Sequence, residues 1–261
     1  MLFTKSWFVC NPPRRTRAAM RHPAKFPEPL VRSFLEFFTR PGECVLDPFL
    51  GTGSTLVAAA ACGRRGVGLE VSSEFAQIAR EAIPASDPKD EGSPSPVVLE
   101  GDARRAVELC RAAGIETVQY VITSPPYWNM LRTSRGNVTT AHKERARQGL
   151  PVTYSASDLR DLGNITDYEE FLAELTQVLA GLKPLLARGR YLTVVLQNIR
   201  KADGEVAPLA WDLTASLRDH YTFKGERLWL QDNKRLGMWG YPSEFVTNVH
   251  HHYCLNFKND R

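Results

Sequence analysis

The stretch ECVLDPFLGTGSTLVAAAAC (residues 43–62) constrains the fold most. An apolar run, too short for a helix, breaks at Asp47-Pro48 and passes through Gly51-Thr52-Gly53. Order then resumes in STLVAAAAC, a strong helix former closed by Gly63. Strand, tight turn and helix therefore fit within about 20 residues, and the pattern recurs. Strands are expected at residues 65–70, 97–102, 117–123, 190–198, 223–231 and 249–258. Helices are expected at residues 30–38, 72–83, 103–114, 167–182 and 208–220, with Ser72 or Ser73 capping the second and a box opened by Thr166 capping the fourth. Strands alternating with helices argue an α/β domain built on a mostly parallel sheet with helices on both faces. The last two strands follow one another without a helix and read as an antiparallel edge hairpin, giving seven strands in all.

The 261 residues suit one domain, with residues 128–163 as a polar, weakly periodic insertion. No stretch approaches the run of about 20 apolar residues needed to span a bilayer, and the first residues lack a leader-like apolar core, so a cytoplasmic location is expected. Cys10, Cys44, Cys62, Cys110 and Cys254 form no CxxC pair, which argues against a disulfide framework or a zinc site. The net charge of +4 is unevenly spread. Residues 1–40 and 128–150 together carry +10, and the remainder carries −6. Two basic segments on an otherwise acidic chain suggest a side that faces a polyanion.

Ligands of parallel α/β sheets bind at the carboxyl ends of the strands. Here those ends read Asp47-Pro48-Phe49-Leu50-Gly51-Thr52-Gly53, Glu70, Asp102 and Ser124-Pro125-Pro126-Tyr127. Gly51 and Gly53 let the backbone approach a ligand, and the helix beginning near Ser54 offers N–H groups to an anion. Leu56 stands where a dinucleotide fingerprint needs its third glycine, and no lysine follows the turn as in a P-loop. Glu70 can accept both hydroxyls of an unphosphorylated ribose, or be a solvated carboxylate. Asp102 can accept from an adenine amino group, cap the helix after it, or do both. The corner at residues 124–127 ends a buried strand with two prolines, which remove two donors and fix two φ angles.

In combination, DPFLGTGST, GVGLE, EGDA and TSPPYW resemble the S-adenosylmethionine-dependent DNA amino-methyltransferases, which modify the exocyclic amino group of cytosine (N4) or adenine (N6). HPAKFPEPLVRSFLEFF upstream is similar to that family's methionine-side motif, and the likeness covers most of residues 20–258. The resemblance implies a Rossmann-like methyltransferase fold and S-adenosylmethionine as cofactor. Asp47, Phe49, Gly51, Gly53 and Ser54 would line its methionine and sugar, Glu70 would hold the ribose and Asp102 the adenine. His22, Lys25 and Phe26 would close the methionine side. Ser124, Pro125, Pro126 and Tyr127 would form the catalytic pocket, with Tyr127, joined by Trp128, stacking on a flipped base. The serine form of the motif implies N4 of cytosine. N6 of adenine, an RNA amino group, or a catalytically silent nucleic-acid-binding subunit are the alternatives.

The chemistry fits those residue types. An exocyclic amino nitrogen is a poor nucleophile because its lone pair is delocalised into the ring. Acceptors at the Ser124 hydroxyl and the Pro125 carbonyl would favour a more tetrahedral nitrogen, and alignment alone is worth up to ~7–11 kcal/mol. Arg132, Arg135, Lys143, Arg145 and Arg147 follow the corner and are placed to grip phosphates, with Arg14, Arg15 and Arg17 as a second contact. In His250-His251-His252 only alternate rings share a strand face, so a strand beside the site is a better reading than a metal site. Double-stranded DNA is the implied partner. A chain this compact could dimerise to read a palindrome, or work beside a restriction endonuclease that cuts the same site. Residues 128–163 and the loop 232–248 are the candidates for target recognition.

Overall fold

A computed structural model describes residues 3–11, 27–83, 95–128, 160–201, 204–233 and 247–261. The strands are β1 (Trp7–Val9), β2 (Cys44–Asp47), β3 (Arg65–Glu70), β4 (Val97–Glu100), β5 (Val118–Thr123), β6 (Leu186–Leu196), β7 (Ile199–Arg200), β8 (Val206–Ala207), β9 (Thr222–Leu230) and β10 (His251–Lys258). The helices are α1 (Glu28–Phe38), α2 (Ser54–Ala61), α3 (Ser73–Ala82), α4 (Ala106–Ala112), α5 (Tyr168–Gly181) and α6 (Leu209–Leu217).

Eight strands form one sheet in the order β1-β9-β10-β6-β5-β2-β3-β4, and β7 and β8 form a small separate ribbon. From β4 through β6 every neighbouring pair is parallel. Strand β10 runs antiparallel to both of its neighbours, β6 and β9. The seven strands expected from the sequence are all present, in a Rossmann-like, doubly wound arrangement. Two details of the expectation change. The antiparallel pair is not the edge, because β1 adds an eighth strand parallel to β9. Three residues between TKS and CNP are too short to show a period, which hid β1 from the sequence. The cap of α5 also moves by one residue: the Asp167 side chain, not that of Thr166, accepts the Glu170 amide at 2.8 Å.

Alternation along the strands divides the core. Leu46, Val121, Val194 and Leu255 point to one face with residues of α4, α5 and α6. Val45, Ile122, Val195 and Cys254 point to the other, against α1 and α2. Helix α1 begins at Pro27, carries Glu28 in its first turn, and buries Leu30, Val31, Phe34 and Leu35. A polar seam ties the middle of the sheet: the Tyr120 hydroxyl donates to Thr193 Oγ1 at 2.6 Å, which donates to Asn256 Oδ1 at 2.8 Å.

The chain runs outward from β2 to β3 and β4, then returns to the other side of β2 for β5 and β6. The strand order therefore reverses between β2 and β5. A crevice is expected outside the carboxyl ends of such a pair, and Asp47 and Ser124 flank it.

Candidate active site

The tip of β2 is held by its own acid. Asp47 is fully buried. Its Oδ1 accepts the Phe49 amide at 3.1 Å and the Thr123 hydroxyl at 2.6 Å, and its Oδ2 accepts the Thr55 hydroxyl at 2.5 Å. One carboxylate thus joins the ends of β2 and β5 to the first turn of α2. Burial pushes its pKa up to about 6, against the pull of those donors. Thr55 and Thr123 were not singled out from the sequence. Their signal was only their closeness to GTGS and SPPY, since the sequence does not say which hydroxyl finds a carboxylate.

Glu70, at the tip of β3, braces the glycine turn. Oε2 accepts the Gly51 amide at 2.8 Å and Oε1 the Ser72 amide at 2.9 Å. A carboxylate has about four lone-pair sites, so each oxygen can still accept a further donor. Burial raises its pKa to about 7. Gly51 and Gly53 have φ values of 56° and 89°. At Gly53 a Cβ would come within 3.1 Å of Ala79 on α3, so close helix approach and left-handed backbone both demand glycine there.

Two hydroxyls in this turn, Thr52 Oγ1 and Ser54 Oγ, are buried and have no hydrogen-bond partner among the described residues. Leaving a buried hydroxyl unpaired costs roughly 1–3 kcal/mol, so native folds seldom do so without a reason. With Glu70 beside them, they make a cluster of donors and acceptors at the tip of the turn. Phe49 is half-buried next to it.

Asp102 behaves differently. Its Oδ1 accepts the Arg104 amide at 2.9 Å, capping the short turn Ala103–Arg105, and its Oδ2 pairs with the Arg104 guanidinium at 3.0 Å. Arg104 in turn reaches Glu174 of α5 at 2.7 Å. The capping role is thus in place.

The corner after β5 lies where the sequence set it. Pro125 is buried, Ser124 and Pro126 are half-buried, and Tyr127 is only 7% exposed. The Tyr127 hydroxyl lies 3.0 Å from Ser124 Oγ and donates to the Val195 carbonyl of β6 at 3.2 Å. Burial raises the phenol pKa further. The ring packs in the core, with the His252 ring 6.0 Å away. His252 itself stacks on Trp229 at 4.3 Å. The histidine run thus enters β10 beside the corner, as its strand reading anticipates. Trp128, with φ of 40°, turns away towards α5: its indole N–H donates to the Thr166 carbonyl at 3.1 Å and its ring meets Tyr168 edge-on.

His22, Lys25, Phe26, Arg14, Arg15, Arg17, Arg132, Arg135, Lys143, Arg145 and Arg147 lie outside the described residues. So do most of the two candidate recognition segments. No helix among the described residues is long and apolar enough to cross a membrane.

Comparison with known proteins gives matches of different extent. An orphan methyltransferase, M.BamHII of Bacillus amyloliquefaciens, is 39% identical over 67 residues, which is 26% of this chain and 25% of the relative. The type II methyltransferase M2.DpnII of Streptococcus pneumoniae is 38% identical over 69 residues, 26% of each chain. The matches thus span about a quarter of these relatives' length. Among solved structures, the magnesium protoporphyrin IX methyltransferase of Synechocystis PCC 6803 aligns over 88% of this chain and 78% of its own, at 13% identity and a TM-score of 0.49. Residues 2–81, which hold the Asp47–Gly53 turn and Glu70 but not the Ser124–Tyr127 corner, match the N6_N4_Mtase family, described as DNA methylase.

Proposed function

We propose that this chain transfers a methyl group from S-adenosylmethionine to the exocyclic N4 amino group of a cytosine in double-stranded DNA. The observation that carries the reading is the pairing of two half-sites across the strand-order reversal. On one side stands a rigid Ser-Pro-Pro corner with acceptors and no competing proline N–H. On the other stands a cradle with two unpartnered buried hydroxyls and a buried carboxylate. The Asp47–Thr123 hydrogen bond holds the two together. The DNA methylase family match of residues 2–81 supports the cradle half, and the resemblance of TSPPYW supports the corner.

In this reading Glu70 accepts the ribose hydroxyls, while Thr52 and Ser54 meet polar atoms of the methionine portion. When bound, the cofactor supplies an electrophilic sulfonium methyl. The protein's own task is to hold the target nitrogen. Ser124 Oγ and the Pro125 carbonyl accept its two N–H bonds, which draws the lone pair out of conjugation and aims it. Since the nitrogen becomes more acidic as the new bond forms, no buried base has to act beforehand. His22, Lys25 and Phe26 close the methionine side, Asp102 meets the adenine through the acceptor sites Arg104 leaves, and the arginines of residues 128–150 grip phosphate. A homodimer reading a palindrome, or a cognate endonuclease, would fit this activity.

Incubating the chain with isotopically labelled S-adenosylmethionine and separate DNA and RNA pools, then identifying the modified nucleoside by mass spectrometry, tests the reading. Labelled N4-methylcytosine in DNA is expected. N6-methyladenine would move the substrate to adenine, label in RNA alone would replace the polymer, and no label in either would refute the reading.

A further inference from the structure

Tyr127 holds a position that decides what Ser124 can offer a substrate. A phenol carries a single proton, and a peptide carbonyl can only accept. The Tyr127 hydroxyl lies 3.2 Å from the Val195 carbonyl and donates to it. The same oxygen lies 3.0 Å from Ser124 Oγ. With the phenolic proton committed to Val195, the Ser124–Tyr127 contact must run from serine to tyrosine. Ser124 therefore donates its one proton inward and turns only lone pairs towards the crevice.

We propose that Tyr127 is a positioning residue that makes Ser124 an obligate acceptor. A free serine hydroxyl rotates and can donate as readily as it accepts, so alone it would serve a keto oxygen as well as an amino group. The relay from Ser124 through Tyr127 to Val195 removes that ambiguity. It gives serine the one-way behaviour that a carboxylate has by nature. An amino N–H meets a lone pair, whereas a keto oxygen in its place would set lone pair against lone pair. The burial of Tyr127 fits this role: a ring 7% exposed, with its hydroxyl anchored to β6, cannot swing away and release the serine. The relay also links the corner to the core strand beside it, so its geometry follows the sheet and not the segment after it.

This inference rests on amino methylation by the chain, and the test separates the two. Four forms are compared for kcat and KM on DNA: unaltered, Tyr127→Phe, Ser124→Asp, and the double variant. Thermal melting checks each fold. Phenylalanine keeps the ring and removes only the hydroxyl. We expect Tyr127→Phe to lower kcat about five- to tenfold, the scale of one neutral hydrogen bond, with KM little changed. In the Ser124→Asp background, where the acceptor needs no relay, the same change should alter kcat less than about twofold. No methylated nucleoside from the unaltered chain would sink the underlying reading. Methylation with equal kcat for the unaltered and Tyr127→Phe chains would overturn the relay alone, as would an equal loss in both backgrounds. If Tyr127→Phe does not fold, Tyr127→Leu is compared in the same two backgrounds: a loss confined to the serine background supports the relay, and an equal loss in both overturns it.

Discussion

At the residue scale, Glu70 should leave a pH signature. Its pKa stands at about 7 in the folded chain, against an ordinary value of 4.5. Between these values the native state holds a proton that the unfolded chain has released. Stability therefore falls as pH rises through this window. The contribution is complete below about 4.5 and lost above about 7, and could reach about 3 kcal/mol for so buried a group. Asp47, raised to about 6, adds a slope of the same sign. Urea unfolding across this range should show Glu70→Gln with a flatter dependence than the unaltered chain. An unchanged slope would mean that Glu70 does not titrate there. Ribose hydroxyls donating to Glu70 would favour its charged form, so affinity for S-adenosylhomocysteine should rise with pH through the same window. Calorimetry can measure that rise.

The acids show what single residues reveal in sequence and what they conceal. Asp47, Glu70 and Asp102 were legible as strand-tip carboxylates because the apolar runs before them are unmistakable. Their partners were not. Pairing Asp47 with Thr123 spans 76 residues, and Arg104 meets both Asp102 and Glu174, so only the folded sheet could name these contacts. Tyr127 is legible as an aromatic of the corner, but its aromatic type does not say where its hydroxyl goes, and that hydroxyl meets Ser124 and Val195.

At the scale of elements, the turn between β2 and α2 depends on two separable constraints. Gly53 caps α2 with φ of 89° and lies against α3, whereas Gly42 has φ of 84° with open space around its missing Cβ. Substituting alanine at Gly42 tests the backbone alone, at a cost of about 1–3 kcal/mol. Gly53→Ala adds contact at 3.1 Å with Ala79 and should cost more. Denaturant midpoints compare the two, and equal losses would show that α3 yields without penalty. The elements themselves were mostly legible. Strand β3 matches its expected range, and α2, α3 and β5 differ by one or two residues. Strand β6 begins at Leu186, four residues early, because Ala-Arg-Gly-Arg shows no alternation and Gly189 takes a φ of 80°.

At the scale of the whole molecule, a cation reinforces the pairing that holds residues 3–11 to β9. The Arg227 guanidinium lies 4.0 Å over the Phe3 ring and 4.5 Å over Phe8, and its Nε donates to the Lys5 carbonyl at 2.9 Å. Arg227 as a whole is buried. Cation–π contacts of this kind are worth about 0.5–2 kcal/mol each. Arg227→Met, which keeps bulk without charge, should lower the melting temperature by several degrees and admit protease near residues 3–11. An unchanged digestion pattern would show that strand pairing alone holds the segment.

The pairing of Trp7 with Leu228 has a consequence for how the molecule is made. A ribosome adding roughly 5–20 residues per second needs on the order of ten to forty seconds to travel from one to the other. Throughout that interval β1 has no strand to join. The parallel half, β2 to β6, can assemble as it emerges, but β10 must still enter between β6 and β9. Until residues 222–258 emerge, an aromatic strand without a partner and an open sheet flank therefore coexist. The yield in the cell should depend less on the stability of the finished fold than on what shelters β1 while synthesis runs.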